Sequence, residues 1–171
     1  HVLPGLERPV VDRDRARAER LATVARGTPG IGAVSVRDGA RATVEDADVV
    51  LTAASFGPPA ERQSMTNAWL RGDATIIPVD YATYCAAEVA RGASLFLVDH
   101  RDQYLANREA GNFDGYPDPH AMLGEAILAG TPRPAGRVVV THLGVGLADV
   151  IFADAIVRAA TAMGLGIELP R

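Results

Sequence analysis

The sequence predicts an α/β fold in which a mostly parallel sheet is covered by helices on both faces. Two observations carry this prediction. Apolar runs typical of strands alternate with helical patterns along the whole chain, and the runs lack the polar alternation of a half-exposed strand. The chain has 171 residues, 48% of them hydrophobic and 22% charged, which is enough for one domain with a buried core.

The elements follow one another in a regular order. Val10 and Val11 end a strand, and a helix is predicted over 14–26 with Asp14 as its N-cap. The apolar stripe predicted for this helix consists of Ala18, Leu21, Ala22 and Ala25. Further strands are predicted over 31–36, 48–53, 73–79, 94–98 and 137–141. Further helices are predicted over 43–47, 64–70, 83–90, 101–110, 120–129 and 149–163, the last with Asp149 as its N-cap. The turn-rich stretch 111–119 is expected to border a site.

Composition excludes several classes of function. The formal charge of −4 gives no electrostatic reason to expect a nucleic acid or an anionic membrane as partner. The single cysteine, Cys85, rules out an internal disulfide framework and is typical of a reducing cytoplasm. All basic residues are Arg, so no lysine can form a Schiff base, and the His and Cys residues lack zinc-site spacing. We therefore expect a cytoplasmic protein without a metal site.

Ligands of open α/β sheets bind beyond the carboxyl ends of the strands. Asp12 follows the strand that ends at Val11. In a dinucleotide-binding fold, an acidic side chain at the end of the second strand accepts hydrogen bonds from the ribose hydroxyls and favours NAD over NADP. The neighbouring Arg13 could reverse that preference by pairing with a 2′-phosphate. The alternative is that Asp12 and Asp14 only cap a helix.

Small and hydroxyl-bearing residues follow the strand at 48–53. They are Thr52, Ala53, Ala54 and Ser55. Their size would let the backbone approach a cofactor closely, and their hydroxyls could reach ribose or phosphate. The alternative is an ordinary exit from a strand.

A carboxylate ends the next strand. Asp80 follows Val79, and a carboxylate at the end of a buried strand is costly unless it is exposed, paired or used. Beside a nicotinamide ring it could exchange a proton with a water or an amine. The alternative is another helix cap, ahead of Thr83. Asp99 and His100 follow the strand after that, but adjacent side chains point to opposite faces, so we expect a surface role and not a dyad.

The last strand is followed by a glycine-containing turn. His142, Leu143 and Gly144 lead to Gly146 and the final helix. Such a turn allows close approach of the backbone, and the start of the helix can face a negative group. The spacing is not that of a G-x-G-x-x-G fingerprint.

Together these segments resemble the ornithine cyclodeaminase/μ-crystallin family over nearly the whole chain. The resemblance is carried, in order, by VVDRDRARAERLA, DADVVLTAAS, IIPVD, LFLVDHRDQ, MLGEAILAG and GRVVVTHLGVGLADVIFADAIVRAATAMGLGIEL. It implies a Rossmann-type domain in a homodimer that binds NAD, with NADP as the alternative. In this family Asp12 would bind the ribose, and Asp80 would be the catalytic carboxylate. The remaining cofactor contacts implied are Arg13, Thr52, Ala53, Ala54, Ser55, Val79, His142, Leu143 and Gly144.

The chain departs from the family pattern around Asp80, at His142 and in the segments expected upstream of residue 1. The family often has V-G-A-D followed by Pro-Gly, where this chain has Pro78-Val79-Asp80-Tyr81-Ala82, and His142 replaces the usual Ser. The first strand, its glycine loop and the family's N-terminal domain, which supplies substrate-binding Arg and Lys residues, are expected upstream of residue 1. Residues 1–171 are thus interpreted as a partial dinucleotide-binding domain, in which 149–171 form a helix that packs back on that N-terminal domain. A missing segment or a partner chain should cover the sheet edge.

Two functions remain as hypotheses. The first is an NAD(P)-dependent oxidoreductase that acts on an amino acid or its imine by hydride transfer, with Asp80 as acid and base. It includes cyclodeaminase, amino-acid dehydrogenase and ketimine reductase variants. The second is a non-catalytic truncated Rossmann protein that serves in binding or assembly.

Overall fold

The computed structural model describes residues 5–167. Strands and helices alternate through them, as the sequence predicts. The strands are β1 (Leu6–Val10), β2 (Ile31–Val36), β3 (Val49–Thr52), β4 (Thr75–Pro78), β5 (Leu95–Val98), β6 (Ala121–Met122) and β7 (Val138–Thr141). The helices are α1 (Arg15–Arg26), α2 (Ala40–Val44), α3 (Ala87–Arg91), α4 (Arg101–Glu109), α5 (Leu123–Leu128) and α6 (Gly146–Ala162).

All strand pairs in the described part of the chain are parallel, and they form two sheets. The larger sheet has five strands in the order β3-β4-β7-β5-β6, and β1 pairs with β2 in a sheet of two. The predicted α/β class and parallel sheet are therefore confirmed. Because parallel strands share one direction, the carboxyl ends of β3, β4, β7 and β5 meet at one edge of the larger sheet.

The core lies on one face of the five-stranded sheet. Val50, Ile76, Val139 and Phe96 stand in register across β3, β4, β7 and β5, and each is at most 3% exposed. The stretch 111–119 packs against this face and is held by aromatic side chains. The ring centroids of Tyr104 and Phe113 are 5.1 Å apart, within the range for favourable aromatic pairs.

Several predicted elements differ from the structure. Residues 64–70 form only a short 3-10 turn at Asn67–Trp69, and the strand β6 was not predicted. Leu21 is 51% exposed although it was placed in the apolar stripe of α1, whose buried residues are Ala18, Ala22 and Ala25. Asp14 caps α1 as predicted and accepts a hydrogen bond from the Ala16 N–H.

The last helix begins earlier than the sequence predicts. Its N-cap is Val145, so Asp149 lies within the first turn and does not cap it. No residue of α6 is buried, although the helix is rich in apolar side chains. The part of the predicted C-terminal segment at 168–171 lies outside the described residues. Within residues 5–167, no helix combines the length and hydropathy that crossing a bilayer requires.

Candidate functional site

The site centres on Asp80, which follows β4 at the carboxyl edge of the sheet. The residue is 5% exposed. Its Oδ1 accepts a hydrogen bond from Thr52 Oγ1 at 3.0 Å, and its Oδ2 accepts one from the Ala54 N–H at 3.0 Å. Both donors follow from the strand order, because β3 is the neighbour of β4 and Thr52 lies opposite Pro78.

The surroundings of Asp80 favour the neutral acid. Burial raises the pKa of its carboxyl group above the usual range, and the hydrogen bonds from Ala54 and Thr52 oppose that shift without cancelling it. A carboxyl group with a raised pKa retains a proton closer to neutral pH, which is what a general acid needs. The helix-cap alternative is not what the structure shows, since α3 begins at Ala87 with Ala86 as N-cap.

The residue after Asp80 has an unusual backbone conformation. Tyr81 has a φ of +59°, in the left-handed region, where a side chain costs about 1–2 kcal/mol relative to the right-handed one. Its ring lies between those of Phe56 and Phe113, at centroid distances of 5.9 and 5.6 Å. These contacts hold the Asp80–Tyr81 segment, and strain of this kind is often found at functional sites.

The end of β7 joins the same edge. The His142 N–H donates to the Pro78 carbonyl at 3.1 Å, which places the turn after β7 beside the end of β4. Leu143 and Gly144 are partly buried, whereas His142 is exposed. Gly144 has a φ of +87°, a conformation that favours glycine. The predicted close-approach turn is therefore formed next to the Asp80 segment.

This turn has an internal partner that the sequence did not indicate. Asp99 Oδ2 accepts hydrogen bonds from the Leu143 N–H at 2.9 Å and the Gly144 N–H at 2.7 Å. The Asp99 side chain is only 7% exposed, so the predicted surface role is wrong for this residue. His100 points elsewhere and caps α4 by accepting from the Gln103 N–H at 3.3 Å, so the two residues form no dyad. The N–H groups of Leu143 and Gly144 therefore already have a partner within the chain.

The remaining predicted contacts divide into two groups. Ala53 and Ser55 are exposed on the loop after β3, and Val79 is 40% exposed between Pro78 and Asp80. These residues lie at the same edge as Thr52 and Ala54. Asp12 and Arg13 instead follow β1 in the two-stranded sheet, are exposed, and make no hydrogen bond to the Asp80 group among the described residues. Asp12 Oδ1 accepts from the Asp14 N–H at 2.8 Å, which agrees with the capping alternative.

The residues at the sheet edge fit a polar, partly buried ligand group. The hydroxyl groups of Thr83 and Thr141 are buried, and neither has a hydrogen-bond partner within residues 5–167. Thr141 ends β7, and the Thr83 N–H donates to the Asp80 carbonyl at 3.2 Å, so both belong to the segments that form the edge. Buried hydroxyls without a partner are uncommon, and ligand groups or water commonly satisfy them.

A cavity of about 590 Å³ lies elsewhere. It is lined by Pro59, Arg62, Gln63, Ala87, Arg91, Gly111, Asn112, Asp114 and Gly115. None of these was predicted as a catalytic or cofactor-binding residue, and four of them belong to the stretch 111–119 that was expected to border a site. The stretch 111–119 thus borders this cavity and packs behind Tyr81 through Phe113, and it does not supply a hydrogen bond to Asp80.

Comparison with solved structures supports the fold. The chain is similar to Thermococcus litoralis Δ1-pyrroline-2-carboxylate reductase in complex with NADH and L-proline, with a TM-score of 0.75 and 20% identity over 95% of this chain and 53% of that chain. It is also similar to CmnK, with a TM-score of 0.72 and 24% identity over 94% of this chain and 48% of that chain. The chain thus spans about half the length of each. No protein-family model matches it, and no curated protein matches its sequence.

These likenesses bear on the family resemblance at the level of fold. The Thermococcus litoralis reductase is a member of the ornithine cyclodeaminase/μ-crystallin family, which is the family that the sequence segments resemble. The structural match with this reductase covers 95% of the present chain. The Rossmann-like architecture predicted from the resemblance is therefore confirmed.

Proposed function

We propose that this chain is the dinucleotide-binding part of an NAD(P)-dependent oxidoreductase that acts on an amino acid or its imine. The observation that carries the proposal is the buried Asp80 carboxyl group at the carboxyl edge of the sheet, bonded to Thr52 and Ala54. The likeness to a reductase bound to NADH and L-proline supports it, since that enzyme has the same fold.

We propose the following roles for the cofactor and for the residues of the site. A bound nicotinamide would supply or accept the hydride at the substrate α-carbon. The cofactor would lie along the loop after β3, which contains Thr52, Ala53, Ala54 and Ser55. Its nicotinamide ring would be flanked by Val79, His142, Leu143 and Gly144. Asp12 would accept hydrogen bonds from the ribose hydroxyls through Oδ2, because its Oδ1 already accepts from the Asp14 N–H. Because Asp12 is acidic, we propose NAD as the cofactor. NADP is the alternative, because the exposed Arg13 beside Asp12 could pair with a 2′-phosphate.

Asp80 would hold the proton of the reaction. In the reductive direction an imine nitrogen must gain a proton as the α-carbon gains the hydride, and the raised pKa of Asp80 favours the protonated form that would donate it. In the oxidative direction the carboxylate would accept the amine proton. Thr52 and Ala54 fix both carboxyl oxygens, so the acid is oriented before the substrate arrives.

The experiment uses the protein expressed from its complete gene. NADH is added together with cyclic imines, among them Δ1-pyrroline-2-carboxylate, and the loss of NADH absorbance is followed. Asp80→Asn should lower kcat at least about 100-fold, in line with general acid–base contributions, while the Kd for NADH changes less than about 3-fold. Asp102→Asn, an exposed carboxylate on α4, is the control and should leave both values unchanged.

Two results would contradict the proposal. Full turnover by Asp80→Asn would remove Asp80 from its role and leave the oxidoreductase function standing. Absence of NADH and NADPH binding to the wild-type protein, measured by calorimetry, would instead favour a non-catalytic protein.

A further inference from the structure

The carboxylate of Asp99 satisfies three backbone donors at once. Its Oδ2 accepts from Leu143 and Gly144, and its Oδ1 accepts from the His100 N–H at 2.9 Å. Asp99 directly follows β5, whose neighbour in the sheet is β7, and the register places Val98 opposite Thr141. The turn after β7 is therefore tied to the end of the adjacent strand.

A second side chain ties the same turn from its acceptor side. Gln103, in the first turn of α4, donates through Nε2 to the Gly144 carbonyl at 3.1 Å. Gly144 thus has both its N–H and its carbonyl bonded to the β5–α4 segment. Since Gly144 has a φ of +87°, these bonds select one conformation of a residue that could otherwise adopt many. His142 Nδ1 is 3.6 Å from Asp99 Oδ2, so the imidazole also lies against this carboxylate.

We propose that Asp99, assisted by Gln103, is a positioning residue that sets the height of the Leu143–Gly144 turn beside the nicotinamide ring. This inference rests on the proposed function, because it needs a nicotinamide at that turn. The Asp99 side chain is only 7% exposed and its Oδ2 is bonded to the backbone of the turn, so its role is exerted through the turn. Its effect is to prevent the backbone from moving toward or away from the ring, and a displacement of about 1 Å can lower a rate about 100-fold.

The substitution Asp99→Asn tests the role without changing the size of the side chain. An amide has one acceptor oxygen and one donor nitrogen. In either orientation its NH2 group would face backbone N–H donors, at Leu143 and Gly144 or at His100. The bonds to the turn are then lost, or they are weakened because the negative charge is removed. Asp102→Asn, which changes an exposed carboxylate in the first turn of α4, is the control. Gln103→Met removes the second bond with a side chain of similar length and provides an independent variant if Asp99→Asn folds poorly.

The experiment uses the complete protein, NADH deuterated at C4, and the imine that the wild type reduces fastest. We expect Asp99→Asn to lower kcat at least 10-fold and to change the deuterium isotope effect, with the Kd for NADH within 3-fold of wild type. Gln103→Met should change both in the same direction by a smaller factor, and Asp102→Asn should change neither.

Each other outcome counts against the proposal. Unchanged kcat and isotope effect in both variants would overturn it while the proposed function stands. A lower melting temperature with an unchanged kcat per folded molecule would show that the bonds serve only stability, and would also overturn it. A wild-type protein without NADH turnover on any imine would overturn the proposed function and this inference with it.

Discussion

The five-stranded sheet and the last helix use their apolar residues in opposite ways. Phe96, Ile76 and Val139 in the sheet are 0% exposed, whereas Phe152, Ile156 and Val157 in α6 are 67%, 65% and 62% exposed. The central strands of the sheet bury their apolar side chains within the described chain, although Val49 and Leu51 of the edge strand β3 are 48% and 63% exposed. The sheet also places Asp80 and Asp99 at one edge. The helix is also rich in apolar residues, and none of its residues is buried. The difference shows that composition alone does not tell which element forms the core.

The two regions also differ in where their contacts lie. The hydrogen bonds of Asp80 and of Asp99 with the Leu143–Gly144 turn join β3, β4, β5 and β7 and their following loops, all within the described chain. A helix with apolar residues all round is typical of one that is buried. We therefore retain, as a prediction, that α6 packs on a domain or subunit outside this chain, together with the homodimer and the domain arrangement expected from the sequence.

The largest expected effect tests the contrast directly in the chain of residues 1–171. Phe96→Ala should lower the free energy of unfolding by about 3–5 kcal/mol, because it leaves a cavity in a packed core. Ile156→Ala should change it by less than about 0.5 kcal/mol, since its side chain is already in water. Urea denaturation measures both. A cost above about 2 kcal/mol for Ile156→Ala would show that α6 is covered in solution.

A smaller effect is expected at the turn that closes the site. Gly144→Ala should cost about 1–2 kcal/mol, because alanine is strained at positive φ even though no atom lies within 4 Å of the added Cβ. Gly146→Ala is the matched control: its added Cβ also meets nothing within 4 Å, and it opens α6. It should leave stability unchanged or raise it by up to about 0.5 kcal/mol. Equal effects in thermal unfolding would contradict the strain argument.

The smallest effect concerns the charge at the site. Burial raises the pKa of Asp80 in the folded chain above its value in the unfolded chain. The contribution of Asp80 to stability, relative to Asp80→Asn, is thus fully present below the unfolded pKa. It is lost as the pH rises through the folded pKa, and is constant above it. Urea denaturation of both proteins between pH 3 and 8 gives this difference, and a difference that grows with rising pH would contradict the assignment.

Much of the fold could be predicted from residue patterns. Continuous apolar runs such as 48–53 and 94–98 predicted parallel strands, and the structure has β3 and β5 there. The predicted burial on both faces is wrong for β3, in which Val49 is 48% and Leu51 is 63% exposed, because β3 is an edge strand with one face left open. Asp14 was a recognisable N-cap because its side chain serves its own helix. The boundaries of α2, α3 and α6 were displaced, since capping residues occur in loops as well as at helix starts. The helix predicted at 64–70 does not form because its backbone groups bond to a neighbouring segment. For example, the Met65 N–H donates to the Tyr84 carbonyl at 2.8 Å.

The candidate site was predictable only where one strand end supplies the chemistry. Asp80 follows an apolar strand, and this position by itself marked it as a candidate. Asp99 follows another strand, and its sequence context is so similar that it gave no sign of a different task. The bonds from Leu143 and Gly144 join residues 44 and 45 positions away, so no local pattern records them.

The sequence by itself determined the class of fold, the order of its elements and the carboxylate at the end of β4, because each depends on residues close together in the chain. The tertiary structure alone decided the strand order β3-β4-β7-β5-β6, and with it the neighbours of each strand end. That order brings Thr52 to Asp80 and Asp99 to the Leu143–Gly144 turn. The burial of an apolar side chain was likewise decided by what packs against it, which is why Phe96 lies in the core and Phe152 lies in water.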